Sequence, residues 1–116
     1  MLASEIPREQ WEPFLDRFNR QHSGDRVRVE RHQPGTGIIF EVENCVFERI
    51  HDDCSGEHHR IGVVVGEPHQ NQETFFMTDP RQLLCFENDA SDTLQIEGTD
   101  GRFLIVRVIC KTKAAA

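Results

Sequence analysis

A chain of 116 residues with 37% apolar content and a formal net charge of −7 has the size of one domain, long enough to bury a core without disulfides or metal. Its acids crowd residues 41–100, where fourteen stand against three arginines; such a surface repels the phosphates of nucleic acid and the headgroups of anionic membranes, and excludes both as partners. No window approaches the ~20 apolar residues of a membrane-crossing helix, and Met1–Ser4 lacks the basic and apolar stretches of a secretion signal. With four cysteines and no CxxC pair, the expectation is free thiols in a reducing cytoplasm.

The first periodic segment is helical. Trp11, Phe14, Leu15 and Phe18 recur at i, i+3, i+4 and i+7 within residues 7–22, and His22 continues the same face. Gly24 is a natural stop. Pro13 conflicts with a continuous helix, because an interior proline costs about 3 kcal/mol. Either the helix kinks there, or Pro7–Gln10 is a separate turn and the regular helix begins near Trp11.

The remainder reads as strands. Arg26–His32 alternates Val27 and Val29 against charged residues, Gln33-Pro34-Gly35-Thr36-Gly37 is a turn, and Ile38–Glu43 alternates again. Cys45–Ile50 fits a short strand or a bend, and His51–His58 a polar loop. His59–Gly66 and Glu73–Thr78 are strands, the second ended by Asp79-Pro80. Arg81–Phe86 fits a helical turn or a strand. Leu94–Glu97 and Phe103–Cys110 form a hairpin around an Asp-Gly turn, and the apolar run of the latter suits a central strand. The expected class is α+β, with the N-terminal amphipathic helix packed on five to seven antiparallel strands. These strands form either a curved sheet or a small open barrel. The expected single domain spans 1–113, and Ala114–Ala116 reads as a cloning remnant.

The run Ile6-Pro7-Arg8-Glu9-Gln10-Trp11, Phe14-Leu15-Asp16-Arg17-Phe18, His22 and Gly24, followed by Val29-Glu30, resembles the start of a bacterial domain family of unknown function. Asp79-Pro80, Leu94-Gln95-Ile96-Glu97 and Asp100-Gly101 resemble that family's C-terminal half. The resemblance implies a bacterial, stand-alone, cytoplasmic domain. It brings no catalytic residue and no ligand.

Chemistry concentrates in His51-Asp52-Asp53-Cys54-Ser55-Gly56-Glu57-His58-His59. Imidazole, carboxylate and thiolate are the ligands of zinc and other borderline metals. His51, Cys54, His58 and His59 are therefore the candidate transition-metal ligands, although their spacing matches no established motif. Cys54 beside a histidine supplies the parts of a nucleophile without an orienting partner or oxyanion hole. Pro34-Gly35-Thr36-Gly37 lies between strands rather than before a helix, so it is no phosphate cradle. Arg26, Arg28 and Arg31 form a basic island on an acidic molecule and are the candidate partner-binding residues. The reading that follows is a non-enzymatic protein-interaction or regulatory module with no cofactor, acting on a protein partner or as a homodimer. The alternative is a metal-binding or metal-sensing domain built on residues 51–59.

Overall fold

The computed structural model describes residues 2–54, 56–67, 71–87 and 92–110. Along the chain lie β1 (Leu2–Ile6), a single 3-10 turn (Arg8–Gln10), α1 (Trp11–His22), β2 (Arg26–Gln33), β3 (Gly37–Asp53), β4 (Arg60–Val65), β5 (Glu73–Thr78), β6 (Pro80–Glu87), β7 (Asp92–Gly98) and β8 (Phe103–Cys110). All pairing is antiparallel, in the order β1-β6-β7-β8-β2-β3-β4-β5. The sheet is open, with β1 and β5 at its edges.

The α+β class holds, with one short helix against a mostly antiparallel sheet among the described residues, where the strand count of five to seven is corrected to eight. The extra pairing comes from β1, whose Leu2–Ile6 lies along Glu87–Leu83 of β6. A five-residue edge strand with no apolar alternation carries little periodic signal. Its pairing partner, more than seventy residues away, supplies the structure.

Proline placement resolves the helix. Arg8–Gln10 forms its own turn, and α1 begins at Trp11. Pro13 is then the third residue of the helix, inside the first turn, where backbone N–H groups have no carbonyl partner to lose. Trp11, Phe14, Leu15 and Phe18 are all buried. They share one core with Val27, Val29, Phe47, Ile50, Ile61, Val63, Leu83, Leu94, Ile96, Leu104 and Val106. The stripe is thus a lid over one face of the sheet. Asn19 fixes the lid to β3, since its amide donates to Ile50 O (2.9 Å) and accepts from Ile50 N (2.7 Å).

The long strand β3 joins two parts of the sheet. Its first part pairs with β2, and from Phe47 onward it pairs with β4. Register shifts beside Val29 leave extra residues on β3, and Asn44 sits there with φ of 57°, a bulge that bends the strand. His51–Asp53 therefore extend the ladder opposite Gly62–Arg60, and are not part of the loop expected from their polarity. The central position expected for Phe103–Cys110 is observed, between β7 and β2. Arg81–Phe86 is strand. Among the described residues no helix is long and apolar enough to cross a membrane. The expected cloning remnant, 114–116, lies outside the described residues.

Candidate functional site

The end of the β3–β4 hairpin gathers the densest set of ligand-type side chains. Asp52 stands next to the end of β3, His59 immediately precedes β4, and Cys54 lies in the loop between them. One ligand atom from each falls within 4.8 Å of the other two. His59 Nε2 is hydrogen-bonded to Asp52 Oδ1, and Cys54 Sγ lies 3.9 Å from the same oxygen.

The opposite nitrogen of His59, Nδ1, faces Arg8 Nη1 at 3.3 Å. A guanidinium only donates, so in the neutral ring Nδ1 is the acceptor and the proton lies on Nε2, where it donates to Asp52. Arg8 also donates through Nη2 to Pro80 O (2.9 Å) and lies 4.3 Å over the Trp11 ring. Trp11 in turn packs against the His59 imidazole with centroids 5.8 Å apart. The Cys54 thiol is raised by desolvation and by the negative charges of Asp52 and Asp53, so it is held as a thiol rather than a nucleophilic thiolate.

Of the four residues singled out as ligands from sequence, the structure brings Cys54 and His59 together and adds Asp52. His51 is separate. Strand alternation turns it away from Asp52, toward Gly62 and edge-on to Phe76 at 6.3 Å. Its Nδ1 is buried without a hydrogen-bond partner, and burial followed by the charge of Arg49 lowers its pKa. His58 is exposed, with Nδ1 3.5 Å from Asp79 Oδ2. Asp52 belongs to the sequence cluster but not to its candidate ligands, because its role depends on strand alternation beyond residue 50, and Arg8 is missing from both because it arrives from the other end of the chain.

The arginines of β2 divide between two faces. Arg28 lies on the face away from α1, 3.6 Å from Glu30 and 3.3 Å from Glu43. Arg31 lies on the opposite side of the strand and donates to Phe76 O at 3.4 Å. Arg26 is exposed at the start of the strand and lines a shallow groove with Cys45, Gly66 and Glu67. On the Arg28 side, Glu30 is nearly buried and also receives Arg107 at 2.9 Å and His32 at 3.1 Å. Burial pushes its carboxyl up, but the hydrogen bonds and charges of His32 and Arg107 together outweigh this and hold it below its usual value.

A third cluster centres on a buried histidine. His22, at the end of α1, places Nδ1 2.9 Å from Asp25 and Nε2 2.9 Å from Asp92. It ties the helix, the following loop and the start of β7 together. Compared with family models, with curated proteins and with solved structures, the chain matches none.

Proposed function

We propose that this chain is a non-enzymatic interaction module that docks a protein surface, first of all a second copy of itself, along the outer side of the β2–β3 hairpin. The observation that carries the reading is the exposure of Ile38 (53%) and Ile39 (37%) on a strand edge. Among the described residues, Gly37–Cys45 of β3 pair only with β2, while β4 begins its pairing at Phe47. The free edge presents unpaired backbone donors and acceptors beside two isoleucines. Neither lysine nor proline interrupts the segment, and its bulge at Asn44 and the charge of Glu43 guard the end away from Ile38 and Ile39.

The neighbouring face supports the same reading. α1 packs on the side of Val27 and Val29. Register places Leu84, Gln95, Ile105 and Glu30 in one row on the other side, with Gln82, Glu97, Phe103, His32 and Ile38 in the next. Ion pairs set among apolar side chains give such a face both area and orientation for a partner. Arg28 and Arg107 belong to it, whereas Arg31 does not. A cytoplasmic setting accords with the free thiols of Cys45, Cys54 and Cys85.

Light scattering across a concentration series tests the proposal. The native chain is expected to form a dimer that the double variant Ile38→Glu/Ile39→Glu reduces to monomer, with unchanged thermal unfolding of the monomer. A native chain that stays monomeric at millimolar concentration overturns self-association.

A further inference from the structure

We propose that Asp52, Cys54 and His59 form a binding site for a divalent transition-metal ion of the zinc class, and that the ion competes with Arg8 for His59. Three donors of different chemistry converge here from a strand end, a loop and the start of the returning strand, with their ligand atoms within 4.8 Å of one another. Zinc bonds of ~2.0–2.3 Å place tetrahedral ligands roughly 3.3–3.8 Å apart, so small side-chain shifts suffice. Imidazole, thiolate and carboxylate together select a borderline ion over calcium or magnesium, which take oxygen ligands.

Two of the three ligands are held in advance. Asp52 pairs with Ile61 in the β3–β4 ladder. The His59 ring is seated against Trp11, and the backbone carbonyl of His59 accepts from Asp79 N at 2.7 Å. Cys54 is exposed, so the fourth position opens to solvent. Three protein ligands and one open position describe an exchangeable site rather than a closed structural one.

Arg8 makes the site conditional. A metal on Nε2 requires the ring proton on Nδ1, the tautomer that most metal-bound histidines stabilise by donating to a carboxylate or carbonyl. Here Nδ1 faces a guanidinium, which cannot accept. Metal binding and the Arg8–His59 hydrogen bond therefore exclude each other. On binding, the Cys54 thiol proton passes to solvent, the Nε2 proton is replaced by one on Nδ1, and Arg8 keeps only its bond to Pro80 O and its place over Trp11. The ion thus loosens the tie between the N-terminal turn and the β3–β4 hairpin.

The test titrates untagged, reduced chain with Zn²⁺ by calorimetry and with Co²⁺ by absorption. One equivalent is expected to bind, with the thiolate-to-cobalt charge-transfer band and the visible bands of tetrahedral cobalt. Cys54→Ser should abolish the charge-transfer band, and Asp52→Asn and His59→Gln should each weaken binding at least about tenfold. His51→Ala and His58→Ala should leave affinity unchanged. Arg8→Ala should tighten binding about fivefold by removing a nearby positive charge and a misplaced donor, and circular dichroism checks that this variant is folded. Absence of stoichiometric binding, or binding that survives Cys54→Ser and is lost in His58→Ala, overturns the assignment. Unchanged or weakened affinity in folded Arg8→Ala overturns the competition.

Discussion

Arg107 reaches diagonally across the β2–β8 ladder to place Nε 2.9 Å from Glu30 Oε2, on a carboxylate whose side chain is only 4% exposed. Arg107 stands directly opposite Arg28 in the register, a like-charge pair that would be unfavourable alone. Glu30 lies within 3.6 Å of the Arg28 guanidinium as well, so one carboxylate reconciles two arginines on neighbouring strands.

The depressed Glu30 carboxyl fixes the sign of a pH effect. Its ionised form is favoured more in the folded chain than in the unfolded one. Its contribution is therefore complete above the unfolded value of ~4.3 and is lost as pH falls through the lower folded value. Arg107→Ala should cost about 1–2 kcal/mol at pH 7, the low end for a hydrogen bond to a charged group because the half-exposed guanidinium is screened by solvent. It should also flatten the acid limb of the stability profile. Urea unfolding of both proteins at steps from pH 7 to pH 3 provides the measurement, and equal acid slopes would contradict the role given to Arg107.

Gly62 leaves room for two rings. A Cβ at this position would stand 2.8 Å from His51 Cε1 and 2.9 Å from Phe76 Cε1, inside van der Waals contact on both sides. Gly62→Ala should therefore destabilise the fold by about 1–3 kcal/mol, the usual cost of overpacking. Adding His51→Ala should recover part of that loss, because it removes one of the two obstructing rings. A thermal-melt double-mutant cycle reads the coupling, and strictly additive effects would show that the contact with His51 is not the cause.

The aromatic stripe and the period-two strands could be read from sequence because both are local patterns tied to one buried face. Trp11, Phe14 and Phe18 repeat at helical spacing, and Val27 and Val29 at strand spacing, so each announces its face without reference to a partner. The β1 strand could not be read this way, since its conformation comes from β6. His51–Asp53 were obscured by composition, for a polar run at a sheet end looks like a loop until its ladder partners Gly62, Ile61 and Arg60 are known. The ligand-type cluster was legible in kind but not in membership. Alternation along β3 separates His51 from Asp52, and the cation facing His59 enters from residue 8. Likewise, nothing local connects His22 with Asp92 or Glu30 with Arg107.

Removing His22 should be among the most damaging single changes. Its imidazole spans Asp25, which is almost fully buried, and Asp92, and packs 4.6 Å from the Phe18 ring. His22→Ala strips both carboxylates of this partner and leaves a cavity under the end of α1. The expected loss is about 2–4 kcal/mol, from the cavity and from a buried carboxylate deprived of this hydrogen bond. Asp92→Asn, at the less buried end, should cost less because an amide still accepts a hydrogen bond through its oxygen. Urea midpoints for the two variants test the ranking, and a mild effect of His22→Ala would show that the cluster does not hold the helix to the sheet.

Thiol reactivity should follow position in the fold rather than order in the chain. Burial pushes the Cys45 thiol up to about 11, and its Sγ donates to Val27 O at 3.5 Å. Cys85 is buried in the core, while Cys54 is exposed. Alkylation of the native chain at pH 7.5, followed by peptide mass mapping, should modify Cys54 well before Cys45 or Cys85. Cys54 itself should react more slowly than it does in the unfolded chain, because desolvation and then Asp52 and Asp53 disfavour its thiolate. In Asp52→Asn the Cys54 rate should rise, since one of the two opposing charges is gone. A rate that is unchanged there would place the cause of the raised thiol elsewhere, and early modification of Cys85 would contradict the packing of β6 between β1 and β7.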